Sequence, residues 1–149
     1  MSVDQIVFTR RVELTTRGQG DMQDLTRRVA AAVSDSRVQH GTVTVFVIGS
    51  TAGVTTIEFE SGAVADFNAL MDELAPAHAD YQHHLRWGDD NGSSHVRAAL
   101  LGPSLTIPFS NGGLLLGTWQ QIVLVEFDTR PREREVVLQI LGGHKVLSF

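Results

Sequence analysis

The chain has 149 residues, with 17 acidic and 12 basic side chains, a net charge of −5 at neutral pH and no cysteine. The length predicts a single domain over 1–149 with an ordinary hydrophobic core, and the missing cysteines exclude disulfides and thiolate metal sites. The excess of acidic residues argues against nucleic-acid binding, which depends on cationic side chains that neutralise phosphates. No apolar run approaches the length of a membrane span and the first residues lack the basic and apolar regions of a signal peptide, so we expect a cytoplasmic protein without membrane contact.

The first half of the chain alternates predicted strands and helices. Apolar residues at even positions over 6–14 predict a half-buried strand, and Asp21 is placed to cap the N-terminus of a helix. That helix has an apolar stripe at helical spacing: Met22, Leu25, Val29, Ala32 and Val33. A second helix is predicted over about 63–75, where Pro76 ends it. Two further predicted strands cover 42–48 and 55–59.

The second half begins with a polar segment, residues 78–94, and continues with short predicted elements. Residues 95–101 fit a helix or a strand equally well; as a helix, Ser94 would cap it and Gly102 would end it. A turn is predicted at Asn111-Gly112-Gly113. Further strands are predicted over 105–109, 121–127 and 136–141. Helices placed early among hairpin-spaced strands predict an α+β fold, a single domain of mainly antiparallel β-sheet with two or three helices.

Histidines and acidic residues are concentrated in the polar segment. His83, His84 and His95 lie close together in the chain, with Asp89 and Asp90 between them. Imidazole and carboxylate groups together can bind a divalent metal or exchange protons near neutral pH. Adjacent side chains diverge on any regular element, so His83 with His95 is the better metal-binding pair, with either aspartate as an oxygen ligand. The alternative is a polar loop whose histidines cap or bridge the backbone.

Three other segments combine small, polar or cationic residues. The Gly-Ser-Thr-Ala-Gly turn at 49–53 offers N–H groups and two hydroxyls to an anion, although a bulge or hairpin has the same composition. In the Gly-Thr-Trp-Gln segment at 117–120, Trp119 fills the core or contacts a ligand, and a buried Gln120 needs a hydrogen-bond partner. Three arginines alternating with glutamates form a solvated face or a phosphate clamp: Arg130, Arg132 and Arg134.

Together these segments resemble one known family. The matching blocks are Gly-Ser-Thr-Ala-Gly at 49–53, Tyr81-x-His83, Asn91 to His95, Leu-Leu-Gly-Pro-Ser at 100–104, Leu-Gly-Thr-Trp-Gln at 116–120 and Pro131-Arg132-x-Arg134. They cover nearly the whole chain and are similar to those of the YjbQ family, also called UPF0047 or the secondary thiamine-phosphate synthase family. The resemblance implies an α+β domain with antiparallel sheet, a homotrimer and a weak thiamine-phosphate synthase activity, in which a pyrimidine methyl diphosphate is joined to a thiazole phosphate with release of pyrophosphate.

Two positions depart from the family pattern. Many relatives carry His-Thr-Thr-Ala where this chain has Gly-Ser-Thr-Ala at 49–52, and many carry Asn-x-His-x-His at the block that here occupies 91–95. Two family histidines are therefore missing, at Gly49 and Ser93. The His-x-His spacing favours an extended backbone, on which residues two apart share a face. Of the family's histidine set the resemblance carries over only two, His83 and His95, so we expect a weak or empty metal site.

The leading hypothesis is a cytoplasmic enzyme of the thiamine-phosphate synthase type that binds a small phosphorylated metabolite. The predicted catalytic residues are His83, His95 and Asn91. The predicted substrate-binding residues are Ser50, Thr51, Thr118, Trp119, Gln120 and Arg132, with the indole stacked on a substrate ring. A divalent ion, Zn²⁺ or Mg²⁺, is expected to bind weakly to His83, His95 and Asp90. The alternatives are a non-catalytic protein that binds such a metabolite and a metal-assisted phosphoester hydrolase.

Overall fold

Two antiparallel β-sheets and four α-helices make up residues 4–145, the part of the chain that the computed structural model describes. One sheet has the strand order β1-β8-β3-β5-β6 and the other the order β2-β7-β4. The paired strands are antiparallel, which confirms the predicted α+β fold. The elements in chain order are β1 Ile6–Thr15, β2 Met22–Asp24, α1 Thr26–Ser36, β3 His40–Ile48, β4 Ala52–Ile57, α2 Ser61–Leu74, α3 Gln82–Trp87, α4 Gly92–Leu101, β5 Ser104–Ser110, β6 Gly113–Leu114, β7 Gln121–Glu126 and β8 Glu133–Gly143.

Strand β7 lies between two hydrophobic clusters. Ile122 and Leu124 pack with residues of α1, β3 and β8 in the larger cluster. Val123 and Val125 pack with residues of α2 and α4 in the smaller one. Successive side chains of a strand project from opposite faces, so a strand covered on both faces needs a continuous apolar run. This explains why the apolar residues of β7 are consecutive, whereas burial in β1 alternates along most of the strand.

The prediction that Asp21 caps the first helix is wrong. Helix α1 begins at Thr26, and it is Asp24 that accepts the N–H of Thr26, at 2.8 Å. Asp21 instead accepts the N–H of Arg17 at 2.9 Å and a hydrogen bond from the Gln23 amide at 3.1 Å. Although burial opposes its ionisation, these donors and the charge of Arg17 hold the pKa of Asp21 below its usual value. The segment between Asp21 and α1 pairs with β7 as the short strand β2.

The polar segment contains helical structure that the sequence did not indicate. Helix α3 lies within it, and α4 begins at Gly92, so that the undecided stretch 95–101 is helical. The described residues therefore contain four helices where two or three were expected. Ser94 lies inside α4 and does not cap it, whereas Gly102 ends the helix as predicted. None of the helices described within residues 4–145 is long and apolar enough to span a bilayer, and the longest, α2, has 14 residues.

The turn at 49–53 is shorter than predicted. Strand β4 begins at Ala52, so only residues 49–51 lie between β3 and β4, and the strand expected over 55–59 ends at Ile57. Gly53 belongs to β4, and a Cβ at this position would lie 2.8 Å from a Leu101 side-chain atom and 2.9 Å from the Gly102 carbonyl oxygen. The small residue thus allows the C-terminal end of α4 to pack directly on β4.

A buried ion pair connects the two sheets. Glu126, at the end of β7, is completely buried, and the side chain of Arg134, on β8, is only 3% exposed. The Arg134 Nε donates to Glu126 Oε2 at 2.8 Å, and Nη2 donates to the other carboxylate oxygen. The Thr16 hydroxyl, just after β1, also donates to Oε2, at 2.7 Å. A buried charge pair is tolerated when it is well hydrogen-bonded, and here both carboxylate oxygens of Glu126 accept hydrogen bonds.

The ion pair extends into a network that includes the turn at 49–51. Arg134 Nη2 donates to the Thr51 hydroxyl at 2.7 Å, and this hydroxyl donates to Asp128 Oδ2 at 3.0 Å. Burial opposes the ionisation of Asp128, but the hydrogen bonds from Thr51 and from the Thr129 N–H, with the charges of Arg132 and Arg134, hold its pKa below the usual value. An ionised Asp128 thus keeps the turn in place.

Replacement of one partner of the ion pair should destabilise the fold. In Glu126→Gln the charge of Arg134 stays buried without its counter-charge, so we expect the free energy of unfolding to fall by about 3 kcal/mol. Urea denaturation followed by circular dichroism measures this. Glu133→Gln, an exposed change on the same strand as Arg134, is the matched control and should shift stability by less than about 0.5 kcal/mol. Equal losses in the two variants would contradict this account of the pair.

Candidate functional site

Helices α3 and α4 bring His83 and His95 into contact. His83 lies on α3 and His95 is the fourth residue of α4, and their ring centroids are 4.4 Å apart. Gly88 ends α3 with a φ of 65°, a conformation that glycine adopts without strain, and the chain then turns back within three residues to begin α4. The predicted pairing of these two histidines across the loop therefore exists in the structure.

Asp89 and Asn91 complete this histidine cluster. The carboxylate of Asp89 lies 3.5 Å from His83 Nε2. The side-chain nitrogen of Asn91 is assigned to the side that faces hydrogen-bond acceptors, where it lies 3.2 Å from His83 Nε2 and 3.1 Å from Asp89 Oδ1. An imidazole held between an amide, a carboxylate and a second imidazole can accept a proton from a ligand or return one. We refer to His83, His95, Asp89 and Asn91 as the histidine cluster.

Asp90, the carboxylate predicted to bind a metal, lies elsewhere. Its Oδ1 accepts a hydrogen bond from the Thr129 hydroxyl at 3.2 Å, and the carboxylate paired with His83 is that of Asp89. The two aspartates are equivalent in sequence, and the turn after Gly88 decides which of them faces the imidazole. Asp90 instead joins the loop to the segment that follows β7.

The residues present do not form a complete metal site. Within residues 4–145 no three histidine, aspartate or glutamate side chains are placed to hold one ion together. Catalytic zinc usually has three protein ligands. The two imidazoles and Asp89 lie near one another, but Asp89 is already bound to Asn91 and His83. The donor set therefore does not fit a tightly bound divalent ion.

Gly49 and Ser93, the positions at which the resemblance implies missing histidines, are poor places for a metal ligand. Ser93 is completely buried and its hydroxyl has no partner within the described residues. Because the stretch is helical, residues 93 and 95 point about 200° apart, and the expected extended backbone is wrong. Gly49 has a φ of 143°, and a Cβ there would lie 2.7 Å from Arg134 Nη1. A histidine at either position would disturb its surroundings before it reached the histidine cluster.

His84 has a structural role that the sequence did not reveal. Its Nε2 accepts the N–H of Gly92, the first residue of α4, at 3.0 Å. A Cβ on Gly92 would lie 2.4 Å from the Tyr81 Cβ, so this position needs glycine for the helix to begin here. The second histidine of the adjacent pair thus caps α4 and fixes the geometry of the cluster beside it.

The turn at 49–51 offers unpaired donors. Within the described chain, the backbone N–H groups of Gly49, Ser50 and Thr51 make no hydrogen bond, and neither does the exposed Ser50 hydroxyl. The predicted role of Thr51 in substrate binding fits less well, because its hydroxyl is buried and already donates to Asp128. Arg132 lies near, with Nη1 3.6 Å from Asp128 Oδ2 and a side chain 36% exposed. Backbone N–H groups beside a guanidinium are suited to an anion.

The segment between β7 and β8 joins this turn to the histidine cluster. Asp128 accepts from Thr51, and the next residue, Thr129, donates to Asp90 in the loop between α3 and α4. Thr51 is thus connected, through two consecutive residues, to Asp90, the chain neighbour of two members of the histidine cluster, Asp89 and Asn91. Neither Asp128 nor Thr129 was predicted as a site residue.

Thr118, Trp119 and Gln120 lie at the opposite end of the smaller sheet. In the pairing of β4 with β7, Ala52 is opposite Glu126 and Ile57 is opposite Gln121. The six residues of β7 separate these ends by about 17 Å. Trp119 is 69% exposed and so does not fill the core. Gln120 is exposed, and its amide donates to the Thr56 hydroxyl at 3.1 Å. Within a single chain, residues 118–120 therefore do not lie beside the histidine cluster.

Comparisons with known proteins agree with this architecture. The family model described as "UPF0047 protein YjbQ-like" matches residues 10–143. A UPF0047 protein of Methanothermobacter thermautotrophicus is 35% identical, over 91% of this chain and 93% of its own. The UPF0047 protein Rv2556c of Mycobacterium tuberculosis is 36% identical, over 89% of this chain and 95% of its own.

Solved structures show the same fold. A YbjQ-like protein of unknown function from Sulfolobus solfataricus superposes with a TM-score of 0.89 at 32% identity, over 93% of this chain and 99% of that one. A hypothetical protein from Aeropyrum pernix superposes with a TM-score of 0.83 at 32% identity, over 91% and 98%. Because sequence and fold match over nearly the full length, the chain belongs to the YjbQ-like UPF0047 family.

Proposed function

We propose that the protein is a thiamine-phosphate synthase-like transferase that joins a pyrimidine methyl diphosphate to a thiazole phosphate. The thiazole nitrogen bonds to the methylene carbon of the pyrimidine, and the carbon–oxygen bond to the diphosphate breaks as pyrophosphate leaves with the electron pair. Such a reaction needs donors that stabilise the charge on the leaving group and an acid that can protonate it.

The observation that supports this proposal most directly is the connection between the histidine cluster and the turn at 49–51. The unpaired N–H groups of the turn and the guanidinium of Arg132 are suited to the diphosphate. A protonated imidazole of the His83–His95 pair would supply the proton to the leaving oxygen, and Asn91 would orient His83. The link from Thr51 through Asp128 and Thr129 to Asp90 fixes the two parts relative to each other.

A second candidate is a protein that binds a phosphorylated metabolite without catalysis. It is favoured by the absence of a three-ligand metal group within residues 4–145 and by the distance of Trp119 from the histidine cluster in one chain. A phosphoester hydrolase would need an activated water, and the paired imidazoles could serve as its base. These candidates differ in their products.

Turnover assays on wild type and three histidine variants separate the candidates. The protein is incubated with the pyrimidine diphosphate and the thiazole phosphate, and pyrophosphate, thiamine phosphate and inorganic phosphate are measured. We expect pyrophosphate and thiamine phosphate in equal amounts, and a loss of about 100-fold in His83→Ala and His95→Ala, because a proton-transferring group is removed. His144→Ala, at an exposed histidine, is the control and should retain full activity.

Other results would reject the transferase. Binding without turnover would leave the non-catalytic candidate, and release of inorganic phosphate alone would support the hydrolase. Full activity in both cluster variants would remove the histidines from the reaction.

Any divalent ion should bind weakly. We propose that Zn²⁺ or Mg²⁺ contacts only His83 and His95, because Asp89 is engaged by Asn91 and His83 and no three histidine or acidic side chains within residues 4–145 are placed to hold one ion. Dialysis of the protein against a chelator, followed by elemental analysis, should therefore remove all metal. Stoichiometric zinc retained through dialysis would show that the ligand set is more complete than the described side chains indicate.

We also propose that the protein assembles as a homotrimer. The outer face of the larger sheet exposes several large apolar residues, among them Phe46 at 41% and Ile48 at 44%. Together with the half-buried Val137 they form an apolar surface that is exposed to solvent in a single chain. Light scattering coupled to size exclusion should give three times the mass of one chain, and Phe46→Glu should shift the protein towards monomer. A monomer mass for wild type at micromolar concentration would contradict the proposal.

A further inference from the structure

Arg134 has one nitrogen that the fold does not use. Its Nε and Nη2 donate to Glu126 and Thr51, as the ion pair requires. Nη1, by contrast, makes no hydrogen bond to any residue in 4–145. The Arg134 side chain is 3% exposed, and Nη1 is not among the fully buried, unpartnered side-chain atoms of residues 4–145, which are the hydroxyls of Ser93 and Ser94. Two N–H groups of a rigidly held guanidinium are therefore available to a ligand.

Because Gly49 has no side chain, there is room beside it for Arg134 Nη1. A Cβ on Gly49 would lie 2.7 Å from Arg134 Nη1, closer than two such atoms approach, so any other residue would displace the guanidinium or the turn. Gly49 also has a φ of 143°, in the region that favours glycine. The arginine tip thus lies against the bare backbone of Gly49, whose N–H and that of Ser50 have no partner within the described chain.

The charges around Arg134 limit where an anion can bind. A cleft of about 370 Å³ on one side of Arg134 is also lined by Glu13, Glu133 and Glu135, whose carboxylates repel an anion. No carboxylate belongs to residues 49–51, and Asp128, the carboxylate that contacts this turn, accepts a hydrogen bond from the Thr51 hydroxyl. The open donors therefore favour an anion over the turn and not in the acidic cleft.

We infer that Arg134 Nη1, together with the N–H groups of Gly49 and Ser50, binds a phosphoryl group, and that Gly49 is present because this contact excludes a side chain. The inference rests on the proposed function in that the phosphoryl group is the terminal one of the diphosphate substrate and of the pyrophosphate product. Arg134 is then a substrate-binding residue that the buried pair with Glu126 holds in position, so its geometry is set before the ligand arrives.

Calorimetric titration of the protein with inorganic pyrophosphate tests the site without relying on turnover. Wild type should bind, and Gly49→Ala should weaken binding about tenfold or more, because the methyl group displaces one charge-assisted donor while the Glu126 pair remains. Gly112→Ala is the matched control: Gly112 also has a positive φ, 74°, but a Cβ there would meet nothing within 4 Å. It carries the same kind of backbone strain and should bind pyrophosphate as wild type does.

A second measurement on wild type covers the case in which Gly49→Ala does not fold. In a ¹⁵N NMR titration with pyrophosphate, the signals of the Gly49 and Ser50 amides and of the Arg134 side chain should shift together and saturate at one affinity. Equal pyrophosphate affinity in wild type, Gly49→Ala and Gly112→Ala would overturn the inference, as would saturation without movement of these signals or no binding at all.

The outcomes separate this inference from the transferase proposal. Tight, Gly49-dependent pyrophosphate binding with no thiamine phosphate formed would reject the transferase and keep the phosphoryl site. Turnover with a KM for the diphosphate that Gly49→Ala leaves unchanged would keep the transferase and reject the site.

Discussion

The buried ion pair between Glu126 and Arg134 determines how the two sheets meet. Either charge alone would cost several kcal/mol in an interior position, so the pair is stable only when β7 and β8 are aligned to bring both groups together. Thr16 and Thr51, which come from two other parts of the chain, make further hydrogen bonds to the pair. Residues 16, 51 and 126–134, three parts of the chain that are distant in sequence, are thereby fixed at one point.

This constraint also decides what the turn at 49–51 can offer a ligand. The Thr51 hydroxyl is consumed by Arg134 and Asp128, so backbone N–H groups, the Ser50 hydroxyl and one arginine nitrogen are left. The backbone N–H groups and the arginine nitrogen can only donate hydrogen bonds, and such donors favour an anionic ligand. The same Asp128 is followed by Thr129, which binds Asp90 and so orients the loop that carries the histidine cluster. Structural and functional roles are therefore combined in one network.

The sequence predicted those features whose physical cause is local. Alternating burial in β1, the continuous apolar run of β7 and the helix stop at Gly102 all follow from side-chain period or glycine geometry. Strand β2 was not predictable, because its three residues are a strand only through pairing with β7. Asp89 and Asp90 could not be distinguished, since tertiary contacts decide between them. Glu126 did carry a signal, because a charged residue within an apolar strand needs a partner inside the protein.

A crystal structure of the protein with pyrophosphate would show whether the network built on Glu126 and Arg134 creates a phosphate site connected to the histidine cluster. We expect one phosphoryl group within hydrogen-bonding distance of Arg134 Nη1 and the Gly49 N–H, with Thr51 still bound to Asp128. Pyrophosphate bound instead beside Trp119, or a turn at 49–51 without the anion at saturating concentration, would contradict it.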